Sequence, residues 1–210
     1  QEIQKYYFQE HVPEFRKIVL YAPTFRDHTS TKVFPFEEFE NESTREHAIN
    51  TLLNTLEELK IFLCIRMHLY EQTGMEWLKE LDVPGSRIRF LNEDRISDIM
   101  EILNIFDLLI TDYSSIYIDY LLVHKPLIFL PYDKEEYLAD RGMNFVYDQV
   151  TPGPKPKTYN ELLNSLYELL YNQNNYEQQR EEINNYFNEI QQPCCESICN
   201  HVKEMLRTSV

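Results

Sequence analysis

Glycine is scarce in this chain: only Gly74, Gly85, Gly142 and Gly153 occur among 210 residues. No two stand close enough to form G-x-G-x-x-G or G-x-x-x-x-G-K-[ST]. A glycine-cradled dinucleotide or Walker-type nucleotide is thereby excluded as a motif. Any phosphate ligand must be held by side-chain hydroxyls and helix N-termini instead. Long hydrophobic stretches are also missing; apolar runs reach about five residues, against the roughly 20 of a membrane span. Positive charge is in deficit, with 20 Lys and Arg against 35 Asp and Glu, a net charge of −15 and a pI near 4.8. That balance repels a phosphate backbone and argues against nucleic acid as a partner. No polybasic run suited to anionic lipid is visible. Cysteine is limited to four residues. Cys64 lies in an apolar run and reads as a small hydrophobe. Cys194, Cys195 and Cys199, near His201, make a poor zinc set because adjacent cysteines rarely face one metal; reduced thiols are expected. The chain opens at Gln1 and not at Met, and its first residues do not read as a secretory leader. Something upstream is expected to be missing.

What is present is ordinary for a globular protein: 43% hydrophobic and 26% charged residues. A chain of this size should bury about 70% of the surface its unfolded form exposes. Short β-rich runs alternate with helical patterns. Strands are predicted at 18–21, 61–67, 88–91, 108–111 and 126–130. Helices are predicted at 44–60, 71–81, 96–106 (with Ser97 as a cap), 114–123 and 137–141. A polar loop covers 24–35, an edge strand 144–147, and a proline-containing linker loop 151–158. From 159 onward the pattern is helical only, at 159–171, 176–190 and 196–206. Strands alternating with helices imply parallel βαβ units and a doubly wound, Rossmann-like α/β sheet. One domain is expected, with a core at 17–158 and a helical return at 159–207.

Ligands of open parallel sheets bind outside the carboxyl ends of the strands. Four such ends carry polar groups: Pro23, Thr24 and Arg26; Arg66 and His68; Thr111, Asp112, Ser114 and Ser115; and Asp133, followed by Tyr137, Arg141 and Gly142. Ser114 and Ser115 fall at the start of a helix, where free N–H groups and hydroxyls suit an anion; simple N-capping by Asp112 or Ser114 is the competing reading. Asp119 follows one helical turn later as a solvated or packing carboxylate. His68 suits a phosphoryl oxygen or a proton shuttle, or else a structural role. Arg26 and Arg141 suit bidentate phosphate binding, or salt bridges to nearby acids. No paired Asp-x-Asp marks a metal site, although a diphosphate can recruit Mg²⁺.

The serial run of Tyr21 to Asp27 (YAPTFRD), Arg66 to His68, Asp98 to Leu103, and Leu109 to Ser115 (LITDYSS) with Asp119 and Tyr120 resembles the CDP-glycerol:polyglycerophosphate glycerophosphotransferase family. Lys125 to Phe129, Asp133, Tyr137, Arg141, Gly142 and Pro152 to Pro154 continue it in order. The resemblance covers roughly residues 17–170. It implies the C-terminal, donor-binding half of a glycosyltransferase-B-type fold in teichoic-acid or capsule-polymer synthesis. It also implies CDP-glycerol as donor, CMP as leaving group, and no required cofactor. The acceptor, polymeric or lipid-linked, would be handled by an N-terminal half. The setting would be cytoplasmic, peripheral to the inner face of the membrane. By carry-over, His68 contacts the transferring phosphoryl group, Thr111, Ser114 and Ser115 hold the diphosphate, and Arg141 is a further contact. Three departures stand out. No Trp-His pair occurs, Trp77 being the sole tryptophan; Leu69 replaces the usual proline; and the C-terminal motif keeps only Glu196, with Ser197 where arginine is expected. A CDP-ribitol donor, a nucleotide-sugar glycosyltransferase of the same fold and a non-catalytic nucleotide-binding module remain the alternatives.

Overall fold

A computed structural model describes residues 12–26, 31–67, 76–93, 95–172, 175–191 and 193–208. Its centre is a five-stranded, wholly parallel sheet with strands β1 (Lys17–Tyr21), β2 (Ile61–Ile65), β3 (Ile88–Phe90), β4 (Leu108–Thr111) and β5 (Leu127–Phe129), ordered β3-β2-β1-β4-β5. The order reverses beside β1, between the ends of β1 and β4, where a doubly wound sheet opens its crevice. Period-2 alternation divides the strand residues between two cores. Val19, Tyr21, Leu63, Ile65 and Ile110 face one; Ile18, Leu20, Phe62, Cys64 and Leu109 face the other. Both faces are covered, which is why these strands read as unbroken apolar runs.

On the first face lie helices α1 (Glu37–Glu40) and α2 (Glu42–Glu58), through Phe39, Ala48, Leu52 and Leu56. Asn41 caps α2 by accepting from the Ser43 N–H. The four-residue α1 falls between the predicted loop at 24–35 and the predicted helix at 44–60; Phe36 and Phe39, buried against Tyr159, hold it there. Phe34 occupies the left-handed region at φ 56°, an unusual place for a bulky residue. Its ring packs with those of Tyr21 and Phe39, so tertiary contacts hold the bend. Of the helix predicted at 71–81, residues 71–75 lie outside the described residues, α3 covers Glu76–Lys79, and residues 80 and 81 form a turn.

Three expectations need correction. The helix predicted at 96–106 is a 3₁₀ helix over Ile99–Ile105, and its cap is Asp98, which accepts from the Met100 N–H at 2.9 Å, not Ser97. The segment 144–147 is no strand; it leads into a short helix. The proposed linker 151–158 is largely buried: Pro154 accepts from the Phe129 N–H at 3.0 Å, so the segment covers the outer edge of β5. Gly153 is needed there, since a Cβ would stand 2.3 Å from the Leu127 carbonyl oxygen.

After β4 comes α4 (Ile116–Leu121), after β5 come α5 (Lys134–Asp140) and α6 (Tyr147–Val150), then α7 (Tyr159–Tyr171), α8 (Glu177–Phe187) and α9 (Cys195–Thr208). α7 returns to the first face through Leu162, Leu166 and Leu170. α8 packs near α4 on the second face, where Ile183 and Phe187 meet its core. α9 is exposed throughout its described side chains. No helix among the described residues is long and apolar enough to cross a membrane.

Candidate functional site

The ends of β1, β4 and β5 meet in one knot built on Arg26. Its guanidinium donates from Nε to Asp133 Oδ2 at 2.7 Å, from Nη2 to Asp133 Oδ1 at 3.0 Å and Asp112 Oδ2 at 2.8 Å, and from Nη1 to the Thr24 carbonyl at 2.6 Å. The side chains of Arg26, Asp112 and Asp133 are only 5%, 2% and 9% exposed. The rings of Tyr113, Tyr132 and Tyr137 surround the guanidinium at 5.1 to 5.3 Å. Burial on its own would lower the Arg26 pKa, but Asp133 and Asp112 outweigh it and hold the group more firmly protonated than usual.

Asp112 is fully engaged. Its Oδ1 accepts from the Thr24 N–H and hydroxyl at 2.8 and 2.5 Å, and from the Tyr113 N–H at 2.6 Å. Thr111, wholly buried, donates to the Ala22 carbonyl at 2.7 Å and so ties β4 to β1. Tyr113 donates to Asp133 at 3.0 Å, and Tyr147 to the Asp112 carbonyl at 2.9 Å. Burial pushes the Tyr132 phenol up to about 12 and that of Tyr113 further.

The predicted residues thus fall into two groups. Thr24, Arg26, Thr111, Asp112 and Asp133 bond chiefly to one another, which answers the alternative raised for Arg26 in favour of ion pairing. Pro23 belongs to the same β1 exit. Ser114 and Ser115 stay on the open side. Ser115 is exposed and makes no side-chain cap bond, and the Ser114 Oγ makes only a long 3.5 Å contact with the Ile116 N–H. The helix expected over 114–123 keeps α geometry for six residues only, so its dipole is short. Ser115, Tyr113, Tyr137 and Gly142 line an open recess of about 250 Å³ together with Met143 and Phe145. The Tyr113 and Tyr137 rings stack in its wall, 4.1 Å apart. Gly142, at φ 70°, makes the left-handed turn after α5.

Arg66 belongs to the frame as well: its Nη1 donates to the carbonyls of Leu91 and Ile96 at 2.6 and 2.7 Å, fastening the loop after β3. Arg141 is exposed, with its guanidinium 5.9 Å from the Phe25 ring. Asp119 is exposed on α4, and partial desolvation raises its carboxyl above the ordinary aspartate value. Glu196 lies on exposed α9. His68 lies outside the described residues. Among the described residues no three His, Cys, Asp or Glu side chains converge as metal ligands would. Cys64 is buried and burial pushes its thiol up, in keeping with a packing role. The rim tyrosines Tyr113, Tyr132 and Tyr147 escaped the sequence reading. Their signal was the placement of two of them beside the strand-end carboxylates Asp112 and Asp133.

A doubly wound parallel α/β sheet with an arginine knot at its switch point defines a Rossmann-like fold. The sequence pattern of the CDP-glycerol:poly(glycerophosphate) glycerophosphotransferase family matches residues 3–202, and the chain belongs to that family. It is 31% identical over 184 residues to a teichoic acid poly(glycerol phosphate) polymerase of Bacillus spizizenii, covering 83% of this chain and 40% of the relative. It is 28% identical over 189 residues to a poly(ribitol-phosphate) polymerase of the same organism, covering 89% and 28%. Among solved structures the wall teichoic acid polymerase TagF shares its fold, with a TM-score of 0.71 at 22% identity over 100% of this chain and 48% of that one. TagF has also been solved as an H444N variant soaked with CDPG, at a TM-score of 0.64 and 23% identity, covering 98% and 45%. The chain therefore spans less than half the length of these relatives.

Proposed function

We propose that this chain is the donor-binding part of an enzyme that transfers glycerol phosphate from CDP-glycerol to a hydroxyl of a growing teichoic-acid-like or capsular polymer. The family match across residues 3–202 carries this reading. The acceptor hydroxyl attacks the β-phosphorus, a new P–O bond forms, the bridging P–O bond breaks, and CMP leaves with the electron pair. Such transfer needs mainly alignment and stabilisation of charge on the phosphoryl oxygens.

Ser114 and Ser115 are assigned to the diphosphate oxygens, and Arg141 to a neighbouring oxygen. The recess behind Ser115, walled by the tyrosines, receives the nucleoside. Thr24, Arg26, Thr111, Asp112 and Asp133 are positioning residues, supported by their mutual bonding. Asp98, which caps its 3₁₀ helix, and Arg66, which clasps that loop, support the rim from the β2 side. By family resemblance His68 contacts the transferring phosphoryl group, and Glu196 marks the remnant of the C-terminal motif. Mg²⁺, where used, is placed on the diphosphate. The acceptor half and the general base are assigned to a further domain, in line with the chain's 28–48% share of its relatives. The reaction is placed on the cytoplasmic side, peripheral to the membrane.

Calorimetric titration with CDP-glycerol, CDP-ribitol, UDP-glucose and CMP tests the reading. CDP-glycerol should bind most tightly, and Ser114→Ala/Ser115→Ala should weaken it about tenfold or more, as expected for lost bonds to a charged phosphate. Preference for UDP-glucose would overturn the assignment, and so would unchanged affinity in the double variant.

A further inference from the structure

A second recess opens beyond the end of β5, where Leu130, Pro131 and Tyr132 line it. It encloses about 550 Å³, and its wall holds Lys134, Lys155 and Lys157 with Asp148 as the sole acid. In a chain of net charge −15 this is a local excess of positive charge. Lys134 is neutralised by an ion pair with Asp148. Lys155 extends over the rings of Phe129 and Tyr147, at 5.7 and 5.8 Å, and donates to the Thr151 carbonyl at 3.0 Å. Burial pushes its ammonium below the usual lysine value against the opposing pull of Asp148, so a further anion beside it would favour the charged form. Lys157 bonds Glu161 through its backbone N–H, while its ammonium has no partner among the described residues. Three ammonium groups thus share one carboxylate, Asp148, and lysine binds phosphate as a mobile point charge.

We infer that this recess, lined by Lys134, Lys155 and Lys157, is a second anion site that takes a phosphodiester of the polyol-phosphate acceptor chain. The position fits. Tyr132 lines this recess and Asp133, the next residue, bonds both Arg26 and Tyr113, which walls the serine recess. One wall therefore separates two places for phosphate along the same rim. An acidic protein that lengthens an acidic polymer must hold that chain near the donor against their mutual repulsion, and a small cationic recess does this. The identity of the ligand rests on the function proposed above; the cationic recess does not.

The test is titration of the full chain with a short phosphodiester-linked glycerol phosphate oligomer, with inorganic phosphate, and with CDP-glycerol. Lys155→Gln/Lys157→Gln should weaken oligomer binding about tenfold or more, as for loss of charge-assisted bonds, and leave CDP-glycerol affinity unchanged. Asp148→Asn frees Lys134 and should tighten the oligomer by about threefold. Circular dichroism checks that both variants keep their fold. Oligomer affinity unchanged in the lysine variant would overturn the inference. A parallel fall in CDP-glycerol affinity would also overturn it, by making the recess part of the donor site. Binding of inorganic phosphate alone, without the oligomer, would sink the polymer assignment. Lysine-dependent oligomer binding without any CDP-glycerol binding would support the recess while refuting the donor reading.

Discussion

Two stretches of the same sheet rim use similar residue types to opposite ends. Around Arg26, carboxylates, a threonine and tyrosines close on one another until little polar capacity is left over. A few residues along, Ser114 and Ser115 keep their hydroxyls on the open side of the crevice. The first region is a buried ion cluster, costly to break because a lone charge would remain out of water. The second is exposed, cheap to alter for stability, and suited to a ligand. Polar residues at a strand end therefore do not by themselves mark contact with substrate; the test is whether their bonds are already used.

Breaking the knot should have the largest effect. Arg26→Met leaves Asp112 and Asp133 buried without a counter-charge and should cost about 3–5 kcal/mol of folding stability in urea unfolding. A loss below about 1 kcal/mol, in the range of a surface pair, would show that the cluster is not sealed from water. Gly153→Ala, at the covered edge of β5, should cost about 1–3 kcal/mol, since the added methyl meets a backbone carbonyl that cannot easily move. Full wild-type stability there would mean that the segment is not held against β5. Alkali should act on the knot next. Burial raises the Tyr132 phenol to about 12 from the ordinary tyrosine value, so its stabilisation is complete below about pH 10 and is lost as pH rises towards 12. Tyr113, raised further, adds to the same loss. A stability curve still flat at pH 12 would contradict this burial. Smallest of all, Ser115→Ala should change stability by less than about 0.5 kcal/mol, since its side chain makes no cap bond. A larger loss would make Ser115 part of the frame.

Much of the fold was legible before any coordinates. The apolar runs from Ile18, Ile61, Ile88 and Leu108 and the one at Leu127 became the five strands, because residues buried on both faces leave an unbroken hydrophobic signature. The misread pieces were those without such a signature. Ser97 was read as the cap, but the extended backbone at Asp98 places that carboxylate, one residue later, on the Met100 N–H. The segment 151–158 has a linker's prolines, yet its carbonyl satisfies an N–H on the sheet edge. The run of strand-end motifs pointed to the family that the comparison then showed.

Residue order alone settled the alternation of strand and helix, the absence of glycine-rich phosphate loops and the family, since these depend on patterns local in the chain. The tertiary structure decided which charges neutralise each other and which groups stay open. Arg26 meets Asp112 and Asp133 from 86 and 107 positions away, and Lys155 and Lys157 join Lys134 across two helices. Pairing over such separations is fixed by how the sheet brings its strand ends together, and no local pattern records it.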